Sequence, residues 1–302
     1  MRTTDETTKG AWATTAAFLT WGLVPLYWKA VEAISAHEMI AWRVLWALPF
    51  LAVFLTMGRG WSHVRAVLRK RHVMAVVVVS ASLIAVNWFV FIEAVADNRV
   101  LEASLGYYIN PLVNVLLGAA FLGEKLGRAQ WIAVGLAAAG VAVLVVATGT
   151  LPVTALVLAL TFAAYGLVRK LAHVEAMPGL FLEVVVVSPF AIAWLLVLQA
   201  RGAMSEGVSA GTWALVPLAG LITALPLWWF AYGARRLRLA TVGLLQFLAP
   251  TGQFLLSIAV FGEPFSRAHG AAFALIWAGL VLYVLDLRRR QRRAARIAAA
   301  AV

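Results

Sequence analysis

The sequence predicts an all-α integral membrane protein with ten transmembrane helices in two inverted five-helix repeats. The first observation is composition: 63% of the 302 residues are hydrophobic and 13% are charged, whereas a soluble domain is about 45–50% apolar. The second is a series of apolar runs of about 20 residues, the length that a helix needs to span a bilayer. The third is an internal repeat at a constant offset in the sequence.

Ten apolar runs give the predicted helices and their order. The predicted spans cover residues 10–29, 37–57, 73–96, 101–122, 129–148, 151–172, 179–200, 212–233, 239–262 and 267–287. Five is an odd number of spans, so the second half enters the membrane in the opposite orientation to the first. We therefore divide the chain into a first repeat at 1–149, an inverted second repeat at 150–287 and a basic tail at 288–302.

The repeat is clearest in the fourth and ninth spans. The segment 103–128 (ASLGYYINPLVNVLLGAAFLGEKLGR) returns at 242–267 (VGLLQFLAPTGQFLLSIAVFGEPFSR) with an offset of 139 and no gap. The aligned pairs are Tyr107 with Gln246, Pro111 with Pro250, and Asn114 with Gln253. Proline removes a backbone hydrogen bond and clashes with the preceding turn, so we expect a helix break at both prolines. Paired broken helices are typical of transporters built from repeats.

Basic residues flank the apolar spans, and their placement predicts the orientation of the chain. The formal net charge is +12. With the N-terminus inside, the clusters at 65–71, 235–238 and 288–296 all fall in the cytoplasm, as the positive-inside rule requires. Both termini are then cytoplasmic, and lipid headgroups rather than nucleic acid are the expected partners of these charges.

Arg43 is a candidate substrate-binding residue because it lies inside the second apolar span. A charge at mid-bilayer costs about 2.5–3.5 kcal/mol on insertion scales, and such residues usually face a cavity or a partner. Three interpretations stay open. Arg43 could hold a substrate carboxylate, pair with Glu93 or Glu102, or extend to the headgroups.

Two carboxylates inside apolar runs, Glu93 and Glu183, are the candidates for proton coupling. Apolar surroundings favour the neutral form of a carboxyl group, so either residue could bind and release a proton during a transport cycle. As alternatives, Glu93 could form a structural pair with Arg43, and Glu183 could begin the seventh span, where glutamate suits a helix N-terminus.

Uncharged polar and aromatic side chains complete the predicted binding site. Tyr107, Asn110 and Asn114 recur at i, i+3 and i+7, so they share one helix face. The other candidates are Asn87, Trp88, Trp228, Gln246, Gln253, and the pair Trp21 and Tyr165, which occupy matching positions of the first and sixth spans. Interhelical hydrogen bonds, worth about 1 kcal/mol each, are the alternative role of the polar groups.

Several residues are expected to have structural roles. Tryptophans near span ends should anchor the protein at the membrane interface: Trp12, Trp28, Trp61 and Trp213. Glu124 and Glu263 follow the fourth and ninth spans and suit loops and helix starts. Small residues recur at four-residue spacing in the fifth and tenth spans: Ala133, Gly135, Ala137, Ala139, Ala274 and Ala278. Such faces favour close helix packing, either within the chain or in a homodimer.

The pattern favours a secondary transporter over an enzyme, with a channel or signalling scaffold as a further alternative. All five histidines fall at span ends or in loops, and the sequence has no H-E-x-x-H motif and no Gly-rich Lys loop for ATP. The absence of cysteine excludes thiolate metal sites. We therefore expect no catalytic residue, no metal and no cofactor.

Several motifs resemble one known family. They are GLVPLYWK at 22–29, NW at 87–88, LEASLGYYINPLVN at 101–114, ARRL at 234–237, LLQFLAPT at 244–251 and FGEPF at 261–265. These stretches are similar to the EamA-type transporters of the drug/metabolite superfamily, and within them to the RarD subfamily. The resemblance implies a ten-helix inverted-repeat fold in the cytoplasmic membrane that exports or exchanges small organic molecules, such as amino acids, other metabolites or drug-like amphiphiles. It also implies a cavity formed by spans 1, 3, 4, 6, 8 and 9. One departure is Trp42, where related sequences usually carry histidine.

Overall fold

A computed structural model describes residues 4–123, 126–172, 174–234, 236–237 and 245–300. Regular structure in this part of the chain is helical throughout. The helices are α1 (Thr4–Ala30), α2 (Ala36–Met57), α3 (Trp61–Leu68), α4 (Arg71–Ala96), α5 (Val100–Leu122), α6 (Arg128–Thr148), α7 (Val153–Ala172), α8 (Ala176–Ala200), α9 (Ala210–Leu215), α10 (Leu218–Ala234), α11 (Leu248–Ala259) and α12 (Arg267–Ala300).

The helices confirm the all-α prediction, while the count of ten spans stays a prediction. Among the described residues, seven helical segments are long and apolar enough to cross a membrane, and Val153–Arg169 and Leu248–Ala259 are shorter apolar helices. Two details differ from the sequence prediction. Helix α3 was not predicted, and the predicted span 212–233 is divided into α9 and α10. Pro217 lies at this division, where its ring restricts the preceding residue and its nitrogen has no hydrogen to donate.

Helix connections gather at two ends of the bundle. At one end, which we call the α1–α2 end, Lys29 Nζ donates to Asn98 Oδ1 (2.7 Å) and the backbone N of Ser35 donates to Ser205 Oγ (2.9 Å). At the other end, where α1 begins, Arg236 Nε lies 2.7 Å from Glu6 Oε2. Polar side chains therefore join segments that are distant in sequence at both ends.

Small residues bring α6 and α12 into close contact. A Cβ added to Gly140 would lie 2.8 Å from the Ala272 carbonyl oxygen, and one added to Gly279 would lie 2.8 Å from that of Ala133. Ala133 and Ala137 are buried, so this part of the predicted small-residue face packs within the chain. The remaining members, Gly135, Ala139, Ala274 and Ala278, are exposed, and a homodimer through them stays a prediction.

The predicted helix breaks take a different form in the structure. Helix α5 continues through Pro111 without interruption. Pro250 lies in the first turn of α11, where the missing N–H costs little because the first N–H groups of a helix have no partner within the helix.

Candidate functional site

Arg43 lies in the interior of α2, about 10 Å along the helix from Ala36 at 1.5 Å per residue. Its Nε donates a hydrogen bond to Thr223 Oγ1 on α10 at 3.0 Å. The Thr223 hydroxyl in turn donates to the Ala219 carbonyl at 2.7 Å. This bond joins a residue of the predicted first repeat to one of the second.

Two tryptophan rings pack against the Arg43 guanidinium. Its Cζ lies 4.2 Å from the ring centroid of Trp88 and 5.2 Å from that of Trp28, within the range of cation–π attraction. Trp88 is 9% and Trp28 is 3% exposed. The prediction that Trp28 anchors the membrane interface is therefore wrong, because the ring turns inward. We call Arg43, Trp28, Trp88 and Thr223 the arginine cluster.

The predicted ion pair of Arg43 with Glu93 or Glu102 is not formed. Glu102 instead accepts from the Thr154 backbone N (3.0 Å) and lies 3.6 Å from Arg99 Nη1. In the described part of the chain Arg43 makes no ion pair, and its only hydrogen bond is the one to Thr223. Its positive charge is therefore compensated only by the two rings and by nearby hydroxyl groups.

Tyr107 and Asn87 connect the arginine cluster to α7. The phenol groups of Tyr27 and Tyr107 lie close enough to interact electrostatically with Arg43. Tyr107 OH donates to Asn87 Oδ1 at 3.2 Å, and Asn87 Nδ2 donates to the Leu158 carbonyl (3.1 Å) and to Thr161 Oγ1 (3.0 Å). Tyr107 thus lies near Arg43 and Asn87 is joined to it through Tyr107, with their hydrogen bonds already formed within the protein.

Glu183 lies in a second polar cluster. It is 1% exposed and accepts hydrogen bonds from Ser80 Oγ (2.7 Å), Tyr165 OH (3.1 Å) and Arg169 Nη1 (3.2 Å). We call these four residues the glutamate cluster. Glu183 lies beyond the first turn of α8, so it does not cap that helix.

Glu93 lies beside a small cavity between α4 and α7, apart from both clusters. Its Oε2 is enclosed and has no hydrogen-bond partner in the described part of the chain. The cavity has a volume of about 240 Å³, and its lining includes Glu93, Arg99 and Thr154. This places a carboxylate with unused acceptor capacity next to space that can hold water.

The amides of α5 and α11 bind the backbones of neighbouring helices. Asn110 Nδ2 donates to the Ala159 carbonyl of α7 at 3.1 Å, and Gln253 Nε2 donates to the Trp21 carbonyl of α1 at 3.1 Å. Gln253 Oε1 is enclosed without a partner among the described residues. Both amides therefore make the interhelical bonds that the sequence left open as an alternative.

The remaining candidates lie outside both clusters. Asn114 is exposed and donates to Asn110 Oδ1 at 2.9 Å. Trp228 stacks on Phe54 with a centroid distance of 5.0 Å. Gln246 is half-buried in the turn before α11.

Glu263 caps the start of α5. Its two carboxylate oxygens accept from the backbone N of Val100 and of Leu101, each at 2.8 Å. Burial raises the pKa of this carboxyl, and the two N–H donors and nearby Lys29 oppose that shift. Its repeat counterpart Glu124 lies outside the described residues.

The residues that sequence reasoning missed are Thr223 and Tyr27, and Trp28 as a site residue. The aromatic pair of Tyr27 and Trp28 within the GLVPLYWK motif was a usable signal. Thr223 gave none, because one threonine in an apolar helix is ordinary. A metal centre has no support in the described ranges, which hold no group of three or more His, Cys, Asp or Glu side chains that could bind an ion.

Known proteins resemble this chain over most of its length. Residues 8–146 match the EamA-like transporter family. The chain is 45% identical over 288 residues to the uncharacterized transporter YojE of Bacillus subtilis (strain 168). This alignment covers 93% of this chain and 95% of YojE. It is 40% identical over 289 residues to the protein RarD of Escherichia coli (strain K12). This alignment covers 95% of this chain and 98% of that protein.

This chain is also similar to a solved crystal structure, with a TM-score of 0.59 at 21% identity. The match covers 92% of this chain and 98% of the chain in that structure. A likeness at this identity shows a shared fold and nothing about function.

An apolar helical bundle that encloses charged clusters, together with these relatives, defines a multi-pass membrane transporter. The chain belongs to the EamA-like transporters of the drug/metabolite superfamily. Within that family it is a member of the RarD subfamily.

Proposed function

We propose that the protein is a secondary-active transporter that exports or exchanges small organic molecules by alternating access between two inverted halves, 1–149 and 150–287. The observation that carries the proposal is the arginine cluster, where α2 meets α10 and a cation has no ion-pair partner among the described residues. Ionisable residues inside membrane spans usually mark a substrate or ion pathway. The cluster also joins the two proposed halves, so a relative movement of the halves would change the surroundings of Arg43.

The contact between α6 and α12 supports the inverted repeat. Gly140 and Gly279 are 139 positions apart, and so are Ala133 and Ala272. Gly140 faces Ala272 while Gly279 faces Ala133. A reciprocal contact, in which i meets j and j meets i, is what a two-fold axis produces, and here the two helices run antiparallel.

The two charged clusters have a similar relation. Arg43 and Glu183 are 140 positions apart, as are Pro49 and Pro189 in the same two helices. Arg43 binds Thr223 on α10, whereas Glu183 binds Ser80 on α4. Each charge thus receives a hydroxyl partner from the other proposed half, as expected if the halves are related by an axis in the membrane plane.

Glu93 is our candidate for proton coupling. Its Oε2 is enclosed without a hydrogen-bond partner among the described residues, beside a cavity that Glu93 lines, and a buried polar group without a partner is costly. Glu183 is the weaker candidate because Arg169 compensates its charge. We place the protein in the cell membrane with both termini cytoplasmic, on the distribution of basic residues.

Flux measurements in proteoliposomes test the proposal. Vesicles that contain the purified protein are loaded with a pooled panel of labelled amino acids, organic acids and amphiphilic drugs, and release of each compound is followed. We expect release of at least one compound to saturate and to be accelerated by the same compound outside. Non-saturating release without this acceleration indicates a channel and contradicts the proposal.

A further inference from the structure

We propose that the arginine cluster binds a small organic monoanion when the packing around the enclosed Trp28 Nε1 opens, with its carboxylate held by Arg43 and Trp28 and its apolar body lying against the aromatic side chains. This inference rests on the proposed function and specifies its substrate class.

The unused hydrogen-bonding capacity of Arg43 is the first argument. A guanidinium has five N–H donors, and only Nε is engaged. The terminal nitrogens, Nη1 and Nη2, have no hydrogen-bond partner, and Arg43 forms no ion pair, within the described ranges. Neither nitrogen is among the fully enclosed atoms without a partner, so both keep some accessible surface.

Trp28 supplies the second, independent argument. Its Nε1 is fully enclosed and has no hydrogen-bond partner in the described part of the chain. A buried donor without an acceptor is destabilising. The ring of this residue is also one of the two that pack against Arg43.

The groups left without partners in this cluster are all donors. The neighbouring hydroxyl groups already donate to other oxygens. Thr223 donates to the Ala219 carbonyl, Tyr107 donates to Asn87 Oδ1, and Tyr27 donates to the Leu215 carbonyl. A ligand that satisfies the cluster must bring acceptors and negative charge. A carboxylate does so, because its two oxygens match the planar fork of an arginine.

The surroundings define the rest of the ligand. Trp88, Trp28 and Tyr107 present aromatic surface, with Phe91 packed against Tyr107 at a centroid distance of 5.8 Å. No second cation among the described residues pairs with the cluster, so one negative charge is sufficient. The predicted ligand is therefore an acid of one charge with an apolar or aromatic body.

Matched acids and amides test this directly. Indole-3-acetate, phenylacetate and their primary amides are titrated into the purified full-length protein by calorimetry, with thermal stabilisation as a second readout. We expect saturable binding of the acids that is at least about 10-fold tighter than binding of the amides. Equal binding of acid and amide, or no saturable binding of either acid, overturns the proposal.

Variants locate the binding. Arg43→Gln should weaken acid binding about 10- to 100-fold and remove the preference over the amide. Arg99→Gln is the matched control, since Arg99 is also cationic but pairs with Asp97 and Glu102 at the α1–α2 end. The affinity of this variant for the acids should not change. An equal loss of acid affinity in both variants overturns the assignment of the site to Arg43.

Trp28→Phe keeps an aromatic ring and the charge of the cluster, while it removes the Nε1–H donor. It should weaken acid binding several-fold with little effect on the amide, and an unchanged affinity counts against the two-donor site. Acid binding without accelerated exchange of any compound would leave this site in place and remove the proposed transport function. Exchange of neutral compounds alone, unchanged in the Arg43→Gln variant, would support the proposed transport function and remove this site.

Discussion

Arg43 and Glu183, the charges of the two clusters, are stabilised in different ways. Glu183 receives three hydrogen bonds, one of them within an ion pair with Arg169. Arg43 has one hydrogen bond and two aromatic rings. A buried charge is costly unless its partners compensate for lost hydration, so the glutamate cluster has the character of a structural pair and the arginine cluster that of a binding site.

Breaking the structural pair should destabilise the protein. We expect Glu183→Gln to lower the free energy of unfolding by about 3–5 kcal/mol, because it leaves Arg169 buried without a counter-ion. Thermal unfolding in detergent measures the effect, and the double variant with Arg169→Gln should recover part of it. Glu32→Gln, at the more exposed Lys29–Glu32 pair, is the control and should cost about 0–1 kcal/mol. Equal losses at the two sites would contradict this account.

Sequence reasoning identified Arg43, Trp88 and Tyr107 but missed Thr223 and the inward position of Trp28. A charge within an apolar run is visible locally, and so is the polar face that holds Tyr107. Thr223 is 180 positions from Arg43, and no local pattern states which helices become neighbours. Trp28 was assigned to the wrong environment because nearness to a span end does not say which face of the helix a ring occupies.

At the level of helices, close approach is set by a few small residues. The α6–α12 contact depends on Gly140 and Gly279, each facing a backbone carbonyl. A side chain at either position would force the helices apart. Gly135, on the same helix as Gly140, meets open space instead.

Gly140→Ala should therefore be destabilising. The added Cβ would lie 2.8 Å from the Ala272 carbonyl oxygen, and overpacking of this kind costs about 1–3 kcal/mol. Gly135→Ala is the matched control on the same helix. Because nothing lies within 4 Å of its added Cβ, alanine should be neutral or stabilising by up to about 1 kcal/mol. The same change in unfolding temperature for both variants would disprove the contact.

Helix positions followed from the sequence better than helix interruptions did. Apolar length is a local property, so the predicted second span, 37–57, agrees closely with Ala36–Met57. The eight-residue α3 is too short and too polar to be read as a span. Pro217 carried the signal for the division between α9 and α10, but prolines also lie within continuous helices here, as Pro111 does.

For the molecule as a whole, the inverted arrangement makes a prediction about sidedness. The natural chain has no cysteine, so single cysteines can be introduced without a background. In intact cells, Ser62→Cys on α3 should resist a membrane-impermeant maleimide, and Glu206→Cys in the α8–α9 loop should react with it. Permeabilised cells should label both. Reaction of both positions from outside would rule out the proposed orientation.

Polar contacts between distant loops close the α1–α2 end of the bundle, with Lys29 binding Asn98, Ser35 binding Ser205 and Glu263 binding the start of α5. Water can replace each of these bonds at a small net cost. Val31 and Ile34, in the connection between α1 and α2, are buried at the same end, so opening there would also expose apolar surface, and heat-capacity changes follow apolar exposure. The Arrhenius plot of that step should accordingly be curved.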